Sequence, residues 1–392
     1  MPPLSARSVA PYDVRALRAA EFPWTAERIF LNHASTGPLP ERTRRAVVDF
    51  TNARSTMQQL PDTELQKVLA DARFRAARLI NADVSEIALA TNTSFGLNLA
   101  ARMLPFEPGD VVIVSRDEFP ANVFPWRQLG DRGVRLELLP VTREGWPDEA
   151  LMLERMQDPR VRALAVSHVQ FHNGYRVDLA RLSAAARGSD TWLIVDSIQA
   201  LGQLPFDVRE TPVDVLSCGG QKWLLSPWGS GFFYVRRELI PDLVPPFAGW
   251  SAFEGTENYT TLCDYTGALR QDARRFELIT LPFQDLLGLC RSLDLLHELD
   301  PARIEAHLWT IGEPVRDWAG RRGVRLTSPV GEHGSGMLCV PAAAVPEVMP
   351  ALVEAGVTAS VREGALRLSP HCYNTIAELE RVVEILEQRH RH

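Results

Sequence analysis

The feature that most restricts the fold of this chain is a series of short apolar runs separated by stretches of helix length. The runs are VVIVS (111–115), VRLELLPV (134–141), VRALAVSHV (161–169), TWLIVDSI (191–198), DVLSCGG (214–220) and GFFYVRR (231–237). A strand with one face in water alternates polar and apolar residues, whereas a continuous apolar run is covered on both faces. Intervening segments such as DLARLSAAARG supply the covering helices. The pattern predicts a doubly wound α/β sheet in which these runs are buried, mostly parallel strands. Ligands of such sheets bind beyond the carboxyl ends of the strands, so chemistry is expected just after each run.

At 392 residues the chain exceeds what one core usually serves, which predicts a large domain with a smaller satellite. From about Phe247 the pattern changes to long amphipathic helices, LPFQDLLGLCRSLDLLHEL and DPARIEAHLWTIGEPVRDWAG, then strands and a last helix from Ile376. Thr375 and Glu378 make a capping box for that helix. The expected division is an N-terminal arm (1–30) packing with the small domain, a large domain (31–246) and a small α+β domain (247–392).

A net charge of −7 leaves no electrostatic footprint for nucleic acid or an anionic membrane, and no stretch is long and apolar enough to span a bilayer. A small-molecule substrate fits better. The five cysteines are odd in number and lack CxxC spacing, so neither a disulfide framework nor a zinc site is expected. His168 and His172 have no nearby acidic co-ligand in sequence and read as structural. The N-terminal segment interleaves Arg, Glu and Pro with its apolar residues, unlike a secretory signal, and a cytoplasmic location is expected.

Four segments carry the chemistry. In DVLSCGGQKWLLSPWG, Lys222 follows a strand and two glycines, and Trp223, Leu224 and Leu225 beside it would desolvate the amine toward its neutral, nucleophilic form. In WLIVDSIQALG, Asp196 ends a strand and suits the charge partner of a protonated pyridine nitrogen, with Gln199 placed to donate to a phenolic oxygen; alone, such an acid more often caps a helix. ATNTSFGLNLAAR places Thr93 and Ser94 at a helix start, where free amides and hydroxyls hold phosphate, although an ordinary cap by Thr91, Thr93 or Ser94 gives the same letters. In SRDEFPANVFPW, Phe119 before a proline offers a rigid ring to stack on a planar cofactor, and a core role is the plain alternative.

In order and spacing these segments resemble the class V aminotransferase family, which includes cysteine desulfurases, isopenicillin N epimerase-like proteins, kynureninase and several aminotransferases. The resemblance runs from LNHASTGPLP to LRLSPHCYNTIAELERVVEIL. It implies a fold-type-I enzyme using pyridoxal 5′-phosphate, with Lys222 as Schiff-base lysine, Asp196 at the ring nitrogen and Gln199 at the phenolic oxygen. Thr93, Ser94 and Gln221 would hold the phosphate, and Phe119 would stack on the ring. Arg367 matches the arginine that binds the substrate α-carboxylate, and Asn32 and His33 would line the same pocket. Thr280 stands where relatives reach the phosphate of a neighbouring subunit, implying a homodimer; Ile279 replaces the usual preceding Gly.

The expected function is an aminotransferase-like reaction on the α-amino group of an amino acid or related amine, with an epimerase or a β-eliminating, kynureninase-like lyase as alternatives. A cysteine desulfurase is disfavoured, because the stretch that carries the family thiol, PALVEAGVTASVREGALRLS, has no cysteine. Of the five, Cys372 is nearest Arg367 in sequence. A nicotinamide dehydrogenase would need GxGxxG after a strand, which is absent. A catalytically silent cofactor-binding protein of the same fold is the remaining reading.

Overall fold

The computed structural model describes residues 10–56, 60–278 and 280–390; residues 1–9 of the expected arm and Ile279 lie outside them. The strands are β1 (Ile29–Phe30), β2 (Ile87–Leu89), β3 (Val111–Ser115), β4 (Arg135–Leu139), β5 (Val161–Ser167), β6 (Trp192–Asp196), β7 (Val215–Gly219), β8 (Gly231–Val235), β9 (Leu338–Pro341), β10 (Val357–Thr358), β11 (Ser360–Arg362) and β12 (Ala365–Leu368).

Seven of them form one sheet in the order β2-β8-β7-β6-β5-β3-β4. The expected runs are its strands, and β3 to β7 are mutually parallel. Successive residues of β3 enter different cores, Val111 and Ile113 on one face and Val112 and Val114 on the other, because both faces of the sheet are covered. The sheet is mostly parallel, as expected, and β8 is the run that departs: it is antiparallel to both of its neighbours, β7 and β2. A parallel return needs a crossover of a dozen or more residues, usually helical, and residues 220–230 contain no helix.

Chain order reverses at β3, which has β4 on one side and β5 on the other. The crevice of such a switch point opens at the carboxyl ends of β3, β5, β6 and β7, the strands that precede Phe119, His168, Ser197 and Lys222.

Among the helices are α1 (Glu41–Ser55), α2 (Asp62–Leu79), α3 (Thr93–Met103), α4 (Phe283–Leu299) and α5 (Ile376–Arg389). Leu286, Leu289, Leu293 and Leu296 form the buried stripe of α4, which packs on α1 and α2. The capping box of α5 is present, with Thr375 and Glu378 satisfying each other's backbone amides. β9, β12 and β11 form a small antiparallel sheet. β1 pairs in parallel with β10, and Asn32 bridges to Ser369, so the start of the described chain is stitched to its end. That pairing supports the proposed arm; the boundaries at 30/31 and 246/247 remain our proposal.

Candidate active site

β7 ends at Gly219, and the chain turns through Gly220 and Gln221 to Lys222. A Cβ on Gly219 would lie 3.3 Å from the amide nitrogen of Thr93 and 2.6 Å from the side-chain oxygen of Gln221, so glycine lets the strand end rest on the start of α3. Trp223, Leu224 and Leu225 are fully buried. Burial pushes the Lys222 ammonium down to about 8, opposed by the charge of Asp196. Nζ lies 5.4 Å from the centre of the Phe119 ring, and nothing among the described residues accepts a hydrogen bond from it.

Asp196 is the last residue of β6 and is buried. One carboxyl oxygen accepts from the Ile198 amide at 3.0 Å. Burial nevertheless pushes the group up to about 7, with Glu118 adding to the rise. Among the described residues Asp196 forms no ion pair, and the charge of Lys222 offsets the rise only in part.

At the start of α3 the cap is Asn92, whose side chain accepts from the Phe95 amide at 2.9 Å; Thr91, Thr93 and Ser94 do not serve as the cap. Thr93 and Ser94 are thus the first two helical residues, and their amides have no acceptor among the described residues. The Thr93 hydroxyl accepts from the Gly219 amide at 2.9 Å and keeps its own hydrogen to donate. Gln221 is half-buried nearby, and its carbonyl accepts from the Gly37 amide at 2.8 Å and the Thr36 hydroxyl at 3.1 Å.

The Phe119 ring is 42% exposed and meets Phe171 edge-on at 5.2 Å. Gln199 is more committed than its sequence position implied. Its side-chain NH₂ donates to the Ala34 carbonyl at 3.0 Å and its oxygen accepts from the Trp223 indole at 2.8 Å. It braces the lysine loop, and one N–H is left for the phenolic oxygen.

Arg367 lies on β12, buried. Its Nη2 donates to the Ser35 hydroxyl at 2.7 Å and its Nη1 to the Phe171 carbonyl at 2.5 Å, while Nε has no partner. No carboxylate pairs with it among the described residues, and burial pulls it down to about 10. Asn32 reaches this arginine only through Ser35, which donates to its side-chain oxygen at 2.8 Å.

His33 is a correction. It is fully buried, with Nδ1 2.8 Å from the Ser369 carbonyl and Nε2 2.8 Å from the Tyr373 hydroxyl, so both nitrogens are spent in the core and it does not line a pocket. Burial and the neighbouring His371 push it well below the usual imidazole range. Thr280 is exposed, and the role expected of it involves a second subunit. His168 is buried against Phe206 and pushed down to about 3, and the Phe171 and His172 rings meet at 5.1 Å.

Three participants were not singled out residue by residue from sequence: Ser35, Phe171 and the buried Glu118. Ser35 lies in the LNHAS segment, Phe171 follows the run VRALAVSHV by two residues, and Glu118 directly precedes Phe119. Their roles are contacts across the fold, which no spacing in the chain displays.

These residues fit pyridoxal phosphate on three observations. Open amides at a helix start suit its phosphate, a buried carboxyl with no ion pair among the described residues suits a protonated ring nitrogen, and a partly neutral amine beside an aromatic ring suits its aldehyde. Fold and cluster together define a class, the fold-type-I pyridoxal-phosphate enzymes. The chain belongs to the aminotransferase class V family: a model of "Aminotransferase class-V" matches residues 29–317. Members of the family use pyridoxal 5′-phosphate.

The chain is 28% identical over 372 residues to the uncharacterized aminotransferase YcbU of Bacillus subtilis (strain 168), covering 93% of this chain and 95% of that protein. It is 29% identical over 377 residues to the isopenicillin N epimerase of Streptomyces clavuligerus, covering 91% and 94%. The apo structure of a cysteine desulfurase from Thermococcus onnurineus NA1 shares the fold with a TM-score of 0.85 at 21% identity, over 97% of this chain and 99% of that one.

Proposed function

We propose an aminotransferase-like enzyme that binds an amino acid by its α-carboxylate on Arg367 and holds its cofactor covalently on Lys222. The observation that carries this reading is Arg367 itself, a buried guanidinium with no acidic partner among the described residues, close enough to Lys222 to act on its charge. A guanidinium kept from water without an anion is costly unless a ligand supplies one.

When bound, pyridoxal phosphate withdraws electrons from the carbon bearing the substrate amine and acidifies its hydrogen. Asp196 would hold the proton on the ring nitrogen that makes this withdrawal effective. Thr93, Ser94 and Gln221 would bind the phosphate, and Phe119 would cover one ring face. Lys222 would take the α-hydrogen at Nζ and return a proton, a task suited to an amine brought down to about 8. Ser35 and the Phe171 carbonyl aim the Arg367 fork.

Where the proton is returned would decide the outcome. Inversion at the original carbon would need a second acid on the face away from Lys222, and similarity to an isopenicillin N epimerase over nearly the whole chain supports epimerisation as the second reading. We further propose a homodimer, supported by large exposed apolar residues such as Trp228 (72%) and Tyr265 (88%), and a cytoplasmic location, supported by free cysteines.

The test is to incubate the holoenzyme with single amino acids, with and without a keto-acid acceptor, and measure keto acid, ammonia, sulfide and enantiomers. Acceptor-dependent keto acid supports transamination. Enantiomer exchange without it transfers the reading to epimerisation, and no turnover across the panel would leave a cofactor-binding protein.

A further inference from the structure

Glu118 is a buried carboxylate that the scheme above does not use. It follows β3 by three residues and has no cation paired with it among the described residues. It accepts instead from the Ser167 amide at 2.7 Å, the Gln170 side-chain amide at 2.8 Å and the Ser167 hydroxyl. All three donors come from the end of β5 and the loop after it. A buried carboxylate is a poor way to gain stability, since an apolar group of the same shape commonly does as well, but its charge-assisted bonds fix direction strongly.

What those bonds align is adjacent in the chain. Glu118 precedes Phe119, and Gln170 precedes Phe171. The two rings meet at 5.2 Å, the Lys222 amine lies 5.4 Å from the first, and the carbonyl of the second receives the Arg367 guanidinium. Ser167 is also the register partner of Asp196 on the neighbouring strand. One carboxylate therefore clamps the loop carrying the aromatic wall to the loop carrying the support of the arginine.

We propose that Glu118 is a positioning residue, a clamp that sets Phe119 against the cofactor and Phe171 beneath Arg367. The proposal rests on the reading of Lys222 as the cofactor lysine. Glutamine at 118 keeps the shape but can accept with one oxygen only and turns an NH₂ toward donors, so the two loops lose their common anchor.

The experiment titrates pyridoxal phosphate into the apoprotein of wild type, E118Q, F119A and the double variant, reading affinity, the visible circular dichroism of the bound cofactor and the thermal midpoint. E118Q is expected to bind the cofactor about tenfold more weakly, as loss of one charge-assisted bond implies, with a smaller visible dichroic band. If Glu118 acts through the Phe119 ring, the affinity losses of E118Q and F119A combine to less than their product. Multiplicative losses, or wild-type affinity and dichroism in E118Q, overturn the clamp while leaving the cofactor lysine in place. A wild-type protein with no visible cofactor band overturns both. Should E118Q fail to fold, Q170A removes one donor and keeps the carboxylate; the same non-multiplicative pairing with F119A is expected, and multiplicative losses overturn the clamp.

Discussion

Burial acts on Lys222 and Asp196 in opposite directions, because it disfavours whichever form is charged: the amine falls to about 8 and the carboxyl rises to about 7. Only the neutral amine attacks an aldehyde, and Lys222 becomes neutral as pH rises through its lowered value. Capture of pyridoxal phosphate by the apoprotein should therefore accelerate with pH about a midpoint near 8. Asp196 opposes the lowering, so Asp196→Asn should move that midpoint down; stopped-flow absorbance across pH checks both, and a midpoint near the usual lysine value would refute the burial argument. Lys222→Ala should retain cofactor without a covalent link. Borohydride reduction and peptide mapping of wild type that found the label on another lysine would sink the central assignment. For Arg367→Gln, loss of a charge-assisted pair predicts KM for the amino acid raised by about 10- to 100-fold, while an amine lacking the carboxylate is unaffected; equal effects on both would show that the arginine does not read the carboxylate.

At the scale of elements, the link between β11 and β12 bears on desulfuration. Arg362 pairs with Ala365, leaving only Glu363 and Gly364 in the turn, at φ 44° and 75°. Two successive positive φ values make a type I′ hairpin, which holds two strands closely and has no slack to carry a mobile thiol. The cysteine directly opposite Arg367 is Cys339 on β9, although Cys372 is nearer in sequence. Cys339 is buried, and its thiol is pushed up to about 12, so it is not a thiolate at neutral pH. Supplied with L-cysteine and dithiothreitol, the enzyme should not form stoichiometric alanine and sulfide. Their appearance, abolished by replacing one cysteine with serine, would overturn that expectation.

Across the whole molecule, the lysine loop is held by parts of the chain far apart in sequence. Thr36 and Gly37 bond to the Gln221 carbonyl, Gln199 bonds to Trp223, and the His371 ring meets the Trp223 carbonyl at 2.9 Å. The exposed apolar residues Trp228, Val244, Phe247 and Tyr265 lie after this loop in the chain, where a second subunit would cover surface otherwise left to water. Sedimentation of the loaded enzyme should give a dimer; an active, cofactor-bearing monomer at working concentration would exclude it. The alternation of apolar runs and helices was enough to read the sheet, because a strand buried on both faces cannot be polar on either. The motifs around Lys222, Asp196, Thr93, Phe119 and Arg367 were legible because each follows or lies on a strand at a characteristic spacing. The direction of β8, the spent nitrogens of His33, the bracing by Gln199, Cys339 opposite Arg367 and the hydrogen bonds from Ser167 and Gln170 to Glu118 were decided by tertiary structure alone. Each depends on which distant group satisfies a buried donor, acceptor or strand edge, and that pairing exists only once the chain has folded.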